Sequence, residues 1–562
     1  MARTISVGAQ DFAKIRENNY FYIDKTDFIR EWWDGADAVT LITRPRRFGK
    51  TLNMSMVECF FSNKYADRGD LFEGLSIWQD EKFRKIQGTY PVIFLSFAGI
   101  KQDTYEKTRT SINTLIENLY NQYWWLLDGK DTREYELQFW NRVTKDMDDP
   151  TAAVSINFLC SFLYRHYGKK CIVILDEYDT PLQEAYIHGF WDELVGYTRA
   201  LFNNTFKTNT YLERGLMTGI TRVSKESIFS DLNNLNVVTT TTKEYQTAFG
   251  FTEAEVFEAM KEQNIPERAR ESVKFWYDGF TFGTQRDIYN PWSIISYLDK
   301  KEFDAYWANT SGNGLINRVL READMDIKSD FEKLLNGDAI ETMIDEQIIF
   351  NQLDDDPDAI WSLLLASGYL KVDKIIQEVP EDDPVYVLRI TNFEVKKMFS
   401  RMVTGWFKQG GSFHRFVSSM LAGDEEGMNH YMNEIALTTF SYFDTGNHPS
   451  SLDKPERFYH GFVLGLLVDK ASTHLVKSNR ESGFGRYDVV LEPKDIHDKA
   501  IVMEFKVRSR KEADLDETAD NALKQIEEKR YDADLLAKGI PAENILKYGF
   551  AFEGKQCLIK KA

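Results

Sequence analysis

The segment Arg44-Pro-Arg-Arg-Phe-Gly-Lys-Thr51 lies between an apolar run, AVTLIT, and a helical pattern, LNMSMVECFF. Its last three residues, Gly49, Lys50 and Thr51, fit the end of the pattern GxxxxGK[ST]. Such a turn aims backbone N–H groups and a helix N-terminus at phosphate oxygens, with the lysine on the terminal phosphates and the hydroxyl on magnesium. The first glycine of the pattern is missing, and Arg44 stands there. Taken alone, the segment also reads as a basic strand-to-helix turn. A second apolar run, CIVIL, ends at Asp176-Glu177. An aspartate at a strand end can hold magnesium, and the next glutamate can orient an attacking water. A charged pair opening the loop after a core strand is the plainer reading. A third run, GLMTGI, ends at Thr221-Arg222. Arg222 can touch a γ-phosphate there, or equally face solvent beside a strand cap. If the three runs share one parallel sheet, their ends meet where ligands of open α/β sheets bind.

A second set lies near the C-terminus. Asp488 sits in RYDVVL, sixteen residues before Glu504-Phe-Lys506. Alternation puts Glu504 and Lys506 on one face of a strand. With Asp488 on the neighbouring strand, two carboxylates and an ammonium converge. Paired carboxylates hold a hard divalent cation, and the lysine can orient a nucleophile. Glu456 on an upstream helix can add a ligand, and Gln525 on a downstream helix can buttress the group. The competing reading is a salt-bridged sheet edge.

The elements that must position these residues follow from pattern. Val- and Ile-rich runs at 38–43, 91–97, 171–175 and 215–220 read as buried strands. Helical stretches such as Thr110 to Leu127 lie between them, so the expectation is α/β, a doubly wound parallel sheet over residues 1–245. Residues 246–445 read as mainly helical and winged-helix-like, with a hairpin from Tyr369–Val372 and Val385–Ile390. Thr252 with Glu255 is the expected cap of a helix to Gln263. The polar stretch TGNHPSSLDKP opens the last unit, 446–562, whose order reads α-β-β-β-α-β.

Composition bounds the partners. The 562 residues carry a net charge of −19, while residues 451–562 hold twenty charges of each sign, so the whole imbalance lies upstream. The last unit is therefore the one least hostile to a phosphate backbone, with Arg480, Arg486, Lys506, Arg508 and Arg510 as candidates to line the approach. Cys59, Cys160, Cys171 and Cys557 show no CxxC spacing, so structural zinc and a disulfide framework are not expected. No signal peptide and no apolar run of membrane length are visible, which predicts a cytoplasmic protein without membrane contact.

Two resemblances add to this reading. The segments FYIDKT, LITRPRRFGKTL, VILDEYDTP, TGITRVSKESIFSDLNNL and YNPWSI resemble the AAA-ATPase-like family over about residues 5–309, including its Arg-Pro-Arg-Arg-Phe-Gly-Lys phosphate loop. That implies a P-loop NTPase fold and nucleotide binding through Gly49, Lys50, Thr51, Asp176 and Glu177. The pattern Glu456…Asp488…Glu504-x-Lys506…Gln525, with SNRESGFGRYD, resembles the PD-(D/E)XK nuclease superfamily and implies a restriction-endonuclease-like fold. Together they predict an ATPase fused to a nuclease using ATP and Mg2+ or Mn2+. Its substrate is expected to be DNA rather than RNA, with nucleotide control, defence against foreign DNA as a setting and oligomers possible. The competing expectation is a nucleotide-dependent regulatory switch whose nuclease fold is catalytically silent.

Overall fold

The computed structural model describes residues 2–128, 133–221, 232–308, 314–323, 325–345, 358–377, 379, 382–407, 411–443, 454–482, 485–509, 511–553 and 556–562; the side chains of 325, 437–443, 454–460, 479–482 and 485–487 lie outside that description. The chain packs into two compact units, Met1–Ser311 with Glu341–Val395, and Gly312–Ile340 with Lys396–Ala562. Residues 246–445 are shared between them.

In the first unit five strands form one sheet: β1 (Val39–Thr43), β2 (Val92–Ser96), β3 (Cys171–Asp176), β4 (Leu212–Gly219) and β5 (Leu235–Val238). Their order is β2-β3-β4-β1-β5, and every neighbouring pair is parallel. β1 and β3 are buried along their whole length, as apolar runs must be in a sheet covered on both faces. Helices Lys50–Phe61, Tyr105–Gln122, Asp149–Tyr167, Thr180–His188 and Trp191–Phe202 fall between strands of this sheet. The four strands foreseen from sequence are present. β5 was not foreseen, because its four residues, paired among the described residues with β1 alone, are mostly half-buried, which leaves no apolar run to notice.

Two small sheets follow. β6 (Phe251–Thr252), β7 (Phe280–Phe282) and β8 (Gln285–Tyr289) pair antiparallel in the order β6-β8-β7. The helix Glu253–Glu262 opens with the expected cap: the Glu255 amide donates to Thr252 Oγ1 (3.4 Å), and the Thr252 amide donates to Glu255 Oε2 (2.7 Å). β9 (Ile340–Met343), β10 (Leu370–Ile376) and β11 (Val385–Ile390) lie in the order β10-β11-β9. The helix Ala359–Ala366 precedes the β10–β11 hairpin, the winged-helix-like arrangement expected there.

The second unit is built on a mixed sheet of β12 (His474–Ser482), β13 (Gly485–Pro493), β14 (Ala500–Val507), β15 (Ile545–Glu553) and β16 (Gln556–Lys561), in sequential order. β14 and β15 are parallel and the other pairs antiparallel. With helix Lys454–Lys470 before β12 and helix Leu515–Lys529 between β14 and β15, this is the expected α-β-β-β-α-β order, extended by β16. All four cysteines are buried and unpaired. Among the described residues no helix is long and apolar enough to cross a membrane.

The outer edge of β16 is closed by side chains. On the helix Glu425–Phe443, Asn429 Nδ2 donates to the Ile559 carbonyl (2.8 Å), and its Oδ1 accepts the Ile559 amide (2.8 Å). Asn433 repeats this on Cys557 at 2.9 and 3.0 Å, and Glu425 accepts the Lys561 amide. Four residues of helix advance about 6 Å and two of strand about 6.8 Å, so the registers match. The asparagines imitate a further strand and cover an edge that otherwise invites pairing with another chain. Asn433→Ala should lower stability by about 1–3 kcal/mol and promote self-association; light scattering and urea unfolding identical to wild type would contradict this.

Candidate nucleotide and cation sites

The loop 44–49 leaves β1 and enters the helix Lys50–Phe61 through Gly49, whose φ of 79° is the left-handed conformation that glycine adopts without strain. Gly49 brings no capping side chain, so the first turn presents amides unblocked by side-chain acceptors. Lys50 is buried, and its Nζ donates to the carbonyls of Arg44 (2.9 Å) and Pro45 (3.0 Å), closing the loop into a ring. Burial lowers its pKa; Glu177, Asp179 and Asp176 act the other way.

Arg44, where the motif has glycine, points inward. It is fully buried, donates to the carbonyls of Thr43 (2.9 Å) and Thr239 (2.6 Å), and lies 4.6 Å from the Phe282 ring centre. The loop thus gains from a buried guanidinium the closure that a small residue would give by close approach. Of the aromatic run 275–282, Tyr277, Phe280 and Phe282 are core, with Phe280 and Phe282 packed edge-on to Phe48 at 4.8 and 5.2 Å, whereas Phe275 is exposed.

At the end of β3, Asp176 is fully buried between two hydroxyls: Thr51 Oγ1 donates to its Oδ2 (2.8 Å) and Thr218 Oγ1 to its Oδ1 (2.5 Å). Burial raises its pKa, and the two hydroxyls oppose that shift. The structure therefore brings together Gly49, Lys50, Thr51 and Asp176. Glu177, at φ 53°, follows directly; its amide donates to Thr218 Oγ1 and its Oε2 accepts from Thr180 Oγ1 (3.3 Å). Arg222 lies outside the described residues.

Sequence reasoning missed Thr218 and Asp179. Thr218 was hidden inside an apolar run, and the second aspartate of DEYD carried the only signal for Asp179. Asp179 is buried, and its Oδ2 accepts the amides of Ile220 (2.8 Å) and Thr221 (3.0 Å). Among the described residues its Oδ1 is buried with no hydrogen-bond partner, and burial raises its pKa. Asp179 thereby fixes the chain just before Arg222.

In the second unit, β13 pairs with β14 at Val489↔Met503, and continuing that register sets Asp488 opposite Glu504. Asp488 Oδ2 accepts the Phe505 amide (2.8 Å), replacing the next ladder bond with a side chain. Phe505 stacks on Phe550 at 4.5 Å, which sends Glu504 and Lys506 to the other face. There Gln525 links them: its Nε2 donates to Glu504 Oε1, and its Oε1 accepts from Lys506 Nζ (2.8 Å). The helix bearing Gln525 comes this close because residue 549 is glycine; a Cβ there would lie 2.5 Å from the Ala519 carbonyl.

Asp488, Glu504, Lys506 and Gln525 thus form one group. Glu456 lies in the first turn of the helix Lys454–Lys470, and its side chain is outside the described residues. Arg508, a candidate to line the approach, pairs with Glu553 and donates to the Ala513 carbonyl (2.7 Å). The side chains of Arg480 and Arg486, and Arg510 as a whole, are outside the described residues.

This group fits a hard divalent cation. Among the described residues Glu504 Oε2 is buried with no hydrogen-bond partner, beside a second carboxylate. Burial, and then the charge of Asp488, push Glu504 from 4.5 up to about 8; Lys506, the Asp488 backbone amide and Gln525 oppose the rise. Burial raises Asp488 as well. A folded-state pKa above the unfolded one means that the fold takes up protons. The stability from Glu504 is fully present below about 4.5 and lost as pH rises through about 8. A cation competes with that proton. The metal-free protein should therefore lose thermal stability between pH 5 and 9, and Mg2+ should restore more of it at pH 8.5 than at pH 6. In Glu504→Gln both effects should shrink; equal slopes in variant and wild type would refute the assignment.

The two units define a class: a phosphate-loop α/β domain joined to a mixed-sheet domain with paired strand carboxylates. Residues 6–229 match the family model described as a predicted AAA-ATPase, and residues 454–562 match that of the PD-(D/E)XK nuclease superfamily. The chain carries an AAA-ATPase-like domain followed by a PD-(D/E)XK nuclease superfamily domain. It is also similar to an uncharacterized protein in the vnfD 5′ region of Azotobacter chroococcum mcd 1, 24% identical over 550 residues, spanning 96% of this chain and 95% of the relative.

Proposed function

We propose that the chain is an ATPase that controls a divalent-cation-dependent nuclease acting on DNA. The observation that carries the nuclease half is the buried Glu504 Oε2, without a hydrogen-bond partner among the described residues, opposite Asp488 and with Lys506 on the same face. Asp488, Glu504 and Glu456 are the proposed cation ligands. When bound, Mg2+ or Mn2+ would neutralise a phosphodiester and acidify water. Asp488 and Glu504 hold the negative field that selects a cation, Lys506 orients the nucleophile, and Gln525 fixes both Glu504 and Lys506.

In the first unit Gly49 and Lys50 are the proposed phosphate contacts, Thr51 and Asp176 hold magnesium, Glu177 aligns water and Arg222 meets the γ-phosphate. Functionally the chain reads as 1–245 for nucleotide, 446–562 for cleavage, and 246–445 joining them. Charge balance in the last part favours a phosphate backbone as its substrate. The setting we infer is the cytoplasm, in defence against foreign DNA, by analogy with other ATPase–nuclease fusions.

A second reading, a switch with a silent nuclease fold, draws on Gln525 already engaging both Glu504 and Lys506. Supercoiled plasmid incubated with the full chain, Mg2+ or Mn2+, and ATP or none separates the two. The nuclease reading expects nicking that requires the metal and changes with ATP. No cleavage of DNA or RNA under any combination favours the switch.

A further inference from the structure

The motif Tyr289-Asn-Pro-Trp-Ser293 has no place in either site, yet it touches the phosphate loop. Asn290 is buried and caps the helix Pro291–Lys300, its Oδ1 accepting the amides of Trp292 (2.9 Å) and Ser293 (3.3 Å). Its Nδ2 donates to the Arg46 carbonyl at 3.4 Å. Two residues on, the Trp292 ring carries the Arg47 guanidinium at 4.3 Å. Arg47 has φ 65°, an uncommon conformation for a residue with a side chain, and Trp292 holds it there. One short helix start therefore grips two consecutive residues of the loop.

The same helix start reaches the other way. Ser293 is fully buried, and its Oγ donates to Glu394 Oε2 (2.8 Å). Glu394, also fully buried, accepts the Trp307 amide on Oε1 (2.6 Å). Glu394 is the second residue of the helix Phe393–Trp406, whose chain passes from the first compact unit into the second at Val395–Lys396. Hydrogen bonds and packing run without a gap from Arg46 and Arg47 to the root of that helix. Coupling between sites needs a contiguous physical element that the ligand biases, and a rigid, capped helix start is such an element.

We propose that Asn290, Trp292 and Ser293 form a positioning element that ties the phosphate loop to Glu394, so that nucleotide at the loop is felt in the helix Phe393–Trp406. This rests on the reading of residues 44–51 as the nucleotide site. Asn290 and Trp292 set the loop backbone, and Ser293 passes its position to the connecting helix.

The test uses the full chain, a fluorescent ATP analogue with Mg2+, and amide hydrogen exchange over residues 393–406. Asn290→Ser keeps a capping oxygen but is too short to reach Arg46, and should weaken analogue binding about three- to tenfold. At saturating analogue the wild type should slow exchange in 393–406 by about threefold or more. Ser293→Ala should lose that slowing, and Ser293→Thr, which keeps the hydroxyl, should regain it. Far-UV circular dichroism and the unfolding midpoint of each variant show that the fold is retained. A full nucleotide-dependent slowing in Ser293→Ala overturns the proposal, as does wild-type binding with no slowing. Failure of the wild type to bind the analogue sinks the nucleotide-site reading and the relay with it, and is recognised separately because binding is measured first.

Discussion

Lys506→Ala should reduce metal-dependent plasmid cleavage by about 10²- to 10⁴-fold, the range for removing a positioned group that handles a proton or nucleophile. Two effects act together. The ammonium that orients the nucleophile is lost, and so is a positive charge that lowers the pKa of Glu504, already about 8. Glu504 then holds its proton more tightly and binds a cation less well, so part of the lost rate should return at higher pH or higher Mn2+. The fold should survive, because the strand is anchored on its other face by Phe505 against Phe550 and Phe462. Cleavage of supercoiled plasmid, followed by gel against time, gives the result. A rate equal to wild type would show that Lys506 takes no part.

Lys50→Ala should weaken ATP binding by about a hundredfold or more, since it removes one partner of a buried, hydrogen-bonded charge group. The ammonium closes the loop on the carbonyls of Arg44 and Pro45 and offsets the field of Asp176, Glu177 and Asp179. Without it the negative field of those three carboxylates is no longer offset at the loop. Arg44 cannot substitute, because its guanidinium is turned away onto Thr43, Thr239 and Phe282. Calorimetric titration with MgATP measures the loss directly. Unchanged affinity would remove the phosphate-loop assignment, and any ATP effect on cleavage should vanish in the same variant.

Several features were legible in the chain because they are local. A Val- and Ile-rich run followed by Gly49-Lys50-Thr51 specifies strand, turn and helix start within a dozen residues. The alternation around Phe505 fixes which face carries Glu504 and Lys506, as the Phe505 stack bears out. The cap at Thr252 and Glu255 is likewise a short-range pattern.

Other features were not legible, because their meaning depends on partners far away in sequence. Thr218 looks like any residue of a core strand until it sits beside Asp176, forty-two positions away. Arg44 looks like a broken motif until Thr239 supplies the carbonyl that holds it, 195 positions on. The asparagines at 429 and 433 look like ordinary helix polar residues until β16 lies alongside.

By itself the amino-acid sequence determined which elements form and which residue types they carry, since periodicity, capping and turn chemistry act over a few residues. Only the tertiary structure decided that Glu504 is cut off from water opposite Asp488 and that Asn290 reaches the phosphate loop. Desolvation and long-range hydrogen bonds exist only once distant segments have packed.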